Sequence, residues 1–371
     1  MWFQTLKTRH SVRSFSTENS QGLVLGLEYT DRKTEIHALK KETPPLLLEE
    51  GVSTVFATHE NGGMSLLGIS HSGKGKSCIE IRAWDVMSSL GFTAKEILVQ
   101  DLQRNTINDG KFKAIISLPE SLGTHLFLKM AVLNNFVSLA VSSGLIILWR
   151  CRKVENQAIS LELVSMMTSA TNIHDVALVF DENSTEKGPP LLVVGESGGI
   201  RLYSVTQHTD VTSEDSDMKF SSTHIPFPSS DVGNTVQGIQ SVLPYSCVLS
   251  DSSGRLWYLH PPNLQEILLP SSQGGHGVFA VQMKEGQAEG WLATVDQGQT
   301  VNLYKMSDVI KKTDAGVITQ PWHVVLSQHS ISTISFIEDN VLAGGSNSLK
   351  SMSLWVGVDR IGSTKLESGY T

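Results

Sequence analysis

The chain has 371 residues, with 29 basic against 37 acidic side chains and a net charge of −8. Such a chain is a poor general binder of nucleic acid or of anionic membranes. At 40% hydrophobic and 18% charged residues, it has enough apolar material for a buried core and too little charge for disorder.

The opening Met1-Trp2-Phe3-Gln4-Thr5-Leu6-Lys7 holds no apolar stretch long enough for a signal peptide. No run of about 18 apolar residues occurs, so no membrane insertion is expected and the compartment reads as cytoplasm or nucleus. Cys78, Cys151 and Cys247 stand far apart without metal-ligand spacing, which suits reduced thiols. The sequon Asn183-Ser184-Thr185 carries little weight without a secretion signal.

In chain order, one arrangement recurs: an apolar pair after a polar residue, a second apolar run, a small-residue turn, and a run ending in an aromatic. The first unit opens on His10-x-Val12-x-x-Phe15, and its turn carries Arg32 and Lys33 before Glu35-Ile36-His37-Ala38-Leu39. The second opens on Glu50-x-Val52-x-x-Val55, carries Lys74 and Lys76 in its turn, and ends in Ile79-Glu80-Ile81-Arg82-Ala83-Trp84-Asp85. Residues 95–101 and 112–118 both read as strands after it, and the pattern does not choose between them as the outer one.

The third unit runs from His125-x-Phe127-x-x-Met130 to Leu145-Ile146-Ile147-Leu148-Trp149. The fourth opens on His174-x-Val176-x-x-Val179, turns at Glu196-Ser197-Gly198-Gly199 and ends at Tyr203. It carries polar loops at 181–190 and 206–233, and the second reads as a mobile insertion. Both should leave from the lower rim. The fifth unit has Asn234-x-Val236-x-x-Ile239, the turn Asp251-Ser252-Ser253-Gly254, then Arg255-Leu256-Trp257. The sixth has His276-x-Val278-x-x-Val281, the turn Asp296-Gln297-Gly298 and Val301-Asn302-Leu303-Tyr304. The seventh has His329-x-Ile331-x-x-Ile334 and Met352-Ser353-Leu354-Trp355, followed by a tail at 358–371.

Two short apolar runs across a Gly/Ser/Asp turn make a β-hairpin. Each unit is then a small antiparallel sheet that cannot bury its faces alone. Packing neighbours around a ring buries both faces and protects the edges. The expectation is an all-β single domain spanning 1–371: a seven-bladed β-propeller of four-stranded blades with almost no helix. One terminal segment should close the ring by supplying an outer strand, and residues 1–9, around Trp2 to Leu6, are favoured.

The pre-strand histidines and aromatic anchors resemble the WD40 repeat family over nearly the full length. Trp84-Asp85 is the only literal Trp-Asp pair at an anchor, and Ser143, Ser197 and Asn347 stand near the place of the family's turn aspartate. The family's network of Asp, His, Ser/Thr and Trp is therefore expected to be incomplete in most blades.

Three chemical readings compete with bland ones. Gly195-Glu196-Ser197-Gly198-Gly199 matches G-x-S-x-G, but it joins two strands, where a nucleophile elbow needs a strand-to-helix turn. Gly73-Lys74-Gly75-Lys76-Ser77 suggests a phosphate-binding loop, but Ser70 stands where the first glycine belongs and a strand follows instead of a helix. Twelve histidines invite zinc, but five recur in separate units and none forms H-x-H or HExxH. A structural role in bonding loops of one blade is expected, with no catalytic residue, cofactor or metal.

The resemblance implies a non-enzymatic interaction platform, a subunit of a nuclear pore, vesicle coat, ubiquitin ligase or RNA-processing assembly. It would hold other protein subunits, bind no nucleic acid directly and be monomeric by itself. The rival reading is a propeller hydrolase or lyase with a polar site on the central axis. The expected partner surface is the upper rim, basic at Arg32, Lys33, Lys74 and Lys76 and acidic at Glu196, Asp251 and Asp296, with Arg255 interrupting the acidic sector.

Overall fold

A computed structural model describes the strands of the N-terminal third as bounded below. Beyond them it describes residues 128–154, 158–182, 188–206, 219–228, 233–242, 245–270, 277–283, 290–338, 341–346 and 348–356. Among the described residues the chain is all-β apart from one helix, with seven sheets.

In chain order, β1 is Trp2–Lys7. The first sheet holds β2 (Val12–Thr17), β3 (Val24–Tyr29), β4 (Thr34–Ala38) and β5 (Leu46–Leu48). The second is built on β6 (Ser53–Thr58), β7 (Met64–His71) and β8 (Cys78–Asp85). The short strands β9 (Lys95–Ile97), β10 (Val99–Asp101) and β11 (Thr106–Asn108) follow, then β12 (Lys113–Ser117). The third sheet has β13 (Leu128–Leu133), β14 (Phe136–Val141), β15 (Leu145–Val154) and β16 (Ala158–Thr168). The fourth has β17 (Asp175–Val179), β18 (Leu191–Glu196), β19 (Gly199–Thr206) and β20 (Lys219–Pro226). The fifth has β21 (Val236–Val242), β22 (Ser246–Asp251), β23 (Leu256–His260) and β24 (Asn263–Ile267). The sixth has β25 (Phe279–Met283), β26 (Gly290–Asp296), β27 (Thr300–Lys305) and β28 (His323–Leu326), with α1 (Met306–Asp314) between the last two. The seventh has β29 (Thr333–Glu338), β30 (Val341–Gly345) and β31 (Ser351–Val356).

β1 completes the seventh sheet. It pairs antiparallel with β31, in register from Trp2 opposite Val356 to Lys7 opposite Ser351. The first strands follow one another in order, β2 against β6, then β13, β17, β21, β25 and β29, and β29 lies against β2. The two segments that competed for the outer place of the second sheet are both used. β12 pairs along β8, β9 pairs at the other end of β8, and β10 crosses to pair parallel with β16 of the third sheet.

In the third to seventh sheets the apolar runs of the inner strands do not alternate with polar residues because both faces there are buried, as in parallel sheets covered by helices. All of β14 and β17 is buried. Along β17, Val176 and Leu178 pack toward the third sheet, while Ala177 and Val179 pack toward the fifth. Each cluster is thus shared by two neighbouring sheets. The aromatic anchors obey the same rule: Trp149, Tyr203, Trp257, Tyr304 and Trp355 all lie in the cluster shared with the preceding sheet. The tight turns between second and third strands use glycine where φ is positive, 80° at both Gly198 and Gly254.

One expectation needs correction. Residues 206–233 are not one mobile insertion. Residues 219–226 are β20, paired along β19 from Lys219 opposite Thr206 to Pro226 opposite Gly199. Phe227 follows it into the core, its ring 5.0 Å from that of Trp257. Polar Ser221, Ser222, Thr223 and His224 disguise this strand because its side chains face solvent. α1 is the one helix among the described residues, in keeping with the expectation of almost no helix. Met306, Val309 and Thr313 are buried at helical spacing, and Met306 and Val309 belong to the cluster between the fifth and sixth sheets. The tail at 358–371 and the segment 207–218 lie outside the described residues.

Candidate functional site

The upper rim is built from the hairpin turns between second and third strands and from the residues just before each first strand. Antiparallel order puts both at the same end of a sheet. In the fourth sheet His174 precedes β17, and its Nε2 lies 3.3 Å from Ser197 Oγ in the β18–β19 turn. In the fifth sheet Asn234 holds the same place before β21, and its Nδ2 donates to Asp251 Oδ2 (3.2 Å) and Ser253 Oγ (3.3 Å). The repeated pre-strand residue thus ties one loop of its blade to another.

Glu196, Asp251 and Asp296 occupy one structural place, the last residue of the second strand in three consecutive sheets. Glu196 and Asp251 do not stand on the rim as free charges, because each is only 1% exposed. Asp251 Oδ1 accepts from the Ser253 amide (2.9 Å), Ser253 Oγ (2.6 Å) and the Arg255 amide (3.1 Å). Its Oδ2 also accepts from Trp257 Nε1 at 3.0 Å. The carboxylate therefore folds its own turn and fixes the buried anchor; the network expected to be incomplete in most blades is assembled here with asparagine in place of histidine.

Glu196 accepts from Arg201 Nε at 3.0 and 3.2 Å and from Ser169 Oγ at 3.3 Å. Ser169 in turn receives the Tyr203 hydroxyl at 3.2 Å, so the anchor is reached through a serine of the preceding connection. Asp296 is half-buried, and its Oδ1 has no hydrogen-bond partner among the described residues. Burial pushes the Tyr304 phenol up to about 12, and the Asp296 charge adds to the rise. Arg255 is half-exposed, 3.9 Å from Glu266. Arg32, Lys33, Lys74 and Lys76 lie outside the described residues.

The inner strands carry a second set of polar groups. Asp175 opens β17 and accepts from the amides of Val176 (2.9 Å) and Ile239 (2.8 Å). Lys129 of β13 approaches it to 3.7 Å. One carboxylate thus links three neighbouring sheets. Burial raises its pKa, opposed by Lys129 and the two amides. Ser241 Oγ donates to Leu178 O at 2.8 Å. Gln240 bridges to β25 through Phe279 O and the Val281 amide, both at 2.9 Å. These bonds hold adjacent first strands together.

Ser197 sits between two strands in the exposed turn, as its neighbours predicted. A nucleophile would need His174 oriented by a carboxylate and an oxyanion donor nearby. Among the described residues no carboxylate bonds His174, and the Gly198 amide is spent on Asn234 O at 2.7 Å. Ser197→Ala is therefore expected to cost under about 1 kcal/mol of stability and to leave partner binding unchanged. Labelling of wild type by a fluorophosphonate probe, abolished in the alanine variant, is the result that would refute this. Cys151 and Cys247 are buried, and burial pushes the Cys151 thiol up to about 12, far from thiolate chemistry.

No protein-family model matches the chain, and no curated protein matches it. Its structure is similar to a chain in a solved structure described as "Crystal Structure of Mitotic Checkpoint Complex". The TM-score is 0.52 at 9% identity, over 95% of this chain and 93% of that one. At that identity the likeness carries the fold alone. The antiparallel sheets and this likeness are consistent with a WD40-like β-propeller. Among the described residues no helix is long and apolar enough to cross a membrane.

Proposed function

We propose that the chain is one seven-bladed β-propeller domain, its ring closed by β1, and that it serves as a non-enzymatic platform for other protein subunits of a complex. The observation that carries this reading is the cyclic order of the first strands, from β2 round to β29 and back. A ring of sheets that share every apolar cluster is a stiff disc with many separate loops on its faces. The buried carboxylates of Asp175, Glu196 and Asp251 are engaged in holding turns and blades. The similar chain comes from a multi-protein assembly, which supports the same reading. The assembly would be of nuclear-pore, vesicle-coat, ubiquitin-ligase or RNA-processing type, in cytoplasm or nucleus.

With Glu196 and Asp251 withdrawn into the blades, the rim reading rests on the basic sector of Arg32, Lys33, Lys74 and Lys76, which would meet an acidic segment. Affinity purification of the tagged chain should return a stoichiometric set of proteins. Lys74→Glu with Lys76→Glu should slow association with them and flatten its salt dependence. If the chain is recovered alone and turns over a small substrate, the platform reading fails. If the double variant associates like wild type at low salt, the basic sector is not the docking site.

A further inference from the structure

The outer strands differ in what they show to solvent. β20 exposes Ser221, Ser222, Thr223 and His224, and β24 exposes Asn263 and Gln265. β16 exposes one large apolar side chain, Met166. β28 instead exposes Val324 and Leu326, the latter 73% exposed, directly after an exposed Trp322. Five of the seven large apolar side chains exposed among the described residues fall between Val317 and Leu326.

This strip is held in place. The Thr319 amide donates to Leu268 O at 2.8 Å, pinning the return from α1 to the end of the fifth sheet. The Trp322 amide donates to Leu303 O at 2.7 Å. β28 ends its sheet, in the order β25-β26-β27-β28. The Ser327 amide donates to Gln299 O, and His323 stands opposite Leu303 with Val325 opposite Val301. Antiparallel alternation then turns the backbone groups of His323 and Val325 toward β27, and those of Val324 and Leu326 toward the open edge. Edge strands are usually blunted by lysine or inward-pointing charge. Trp322-His323-Val324-Val325-Leu326 holds neither lysine nor carboxylate.

A cation flanks the strip. Lys305 Nζ sits 3.6 Å from the centroid of the Trp322 ring and has no carboxylate partner among the described residues. Lys311 and Lys312 follow in the last turn of α1, which also bears Asp308 and Asp314.

We infer that the β28 edge docks an extended segment of a partner protein, added as a further strand of the sixth sheet, with apolar residues at alternate positions and a carboxylate that reaches Lys305. This is strand addition, in which the backbone supplies affinity and alternate side chains supply specificity. A second copy of the chain fits less well, because its own strip brings no carboxylate to Lys305. The inference rests on the platform reading and assigns it a surface.

The probe is a phage-displayed library of random twelve-residue peptides panned on the full chain. The library is first depleted on a Val324→Lys/Leu326→Lys double variant whose melting temperature matches wild type. Recovered peptides should alternate apolar residues and carry Asp or Glu. As synthetic peptides they should bind the double variant at least tenfold more weakly, and should lose affinity on Lys305→Glu. Hydrogen exchange at the Val324 and Leu326 amides should slow on binding, which contact through side chains alone would not produce. Failure to recover such peptides, binding indifferent to these substitutions, or self-association of wild type that the double variant abolishes overturns the inference. If the double variant still co-purifies the complete wild-type set of proteins, the platform stands and this edge is not its docking surface.

Discussion

Asp251→Ala is expected to cost about 3 kcal/mol, more than the same change at Glu196 or Asp296. Among the three carboxylates that end second strands, Asp251 has the most bonds to lose: its side chain accepts from two turn amides, Ser253 Oγ, Asn234 Nδ2 and the indole of Trp257. The turn donors and Asn234 lie near solvent and can recover water. Trp257 is 1% exposed, so its Nε1 is left buried without an acceptor. A stranded buried donor costs about 1–3 kcal/mol, and the lost charge-assisted bonds of the turn add to that. Position alone does not set the size. Glu196→Ala, at the equivalent place, should cost about half as much, because Arg201 is 28% exposed at its side chain and can turn to water. Asp296→Ala should cost least, since its Oδ1 makes no hydrogen bond to lose among the described residues. The check is the urea midpoint of the three variants at unchanged m-value. A ranking that does not place Asp251 first would show that these networks do not set the stability of their turns.

Deleting Met1–Lys7 should lower the melting temperature by several degrees and make the protein associate as its concentration rises. The deletion removes β1 and with it the whole register against β31. A lost strand costs on the order of kcal/mol, which for a large domain is a shift of a few degrees. The second effect is a consequence of the exposed β31 edge, which can then pair with another chain. Calorimetry and size-exclusion chromatography at two concentrations test both. An unchanged melting temperature would mean that β1 adds nothing to the seventh sheet and that the ring is closed by other means.

The repeat was legible because burial on both faces leaves little freedom at the anchors. Trp149, Tyr203, Trp257, Tyr304 and Trp355 recur because each fills the same gap against the preceding sheet. The rim was misread because formal charge carries no information about desolvation. Glu196 and Asp251 look like surface charges until their partners are known. A signal was present in Asp251-Ser252-Ser253-Gly254, where aspartate before serine and glycine favours a side chain bonded back to its own turn. β20 was missed for the opposite reason. An outer strand needs little apolar surface, so Lys219–Pro226 reads as loop by composition. The helix carried its own pattern in Met306, Val309 and Thr313, but a single short apolar stripe is easily absorbed into the end of the preceding strand.

The pairing of β1 with β31 also has a meaning in time. β1 leaves the ribosome long before its partner Ser351–Val356 is made. At roughly 5–20 residues per second, the first strand waits on the order of tens of seconds for the last one. Through that interval the nascent chain carries unmatched hydrogen-bonding backbone at its leading end, while the middle sheets already have neighbours to pack on. Birth of this protein is thus a period of exposure that ends in one late event. A cell that makes it in quantity must shelter β1 until β31 is there to pair with it.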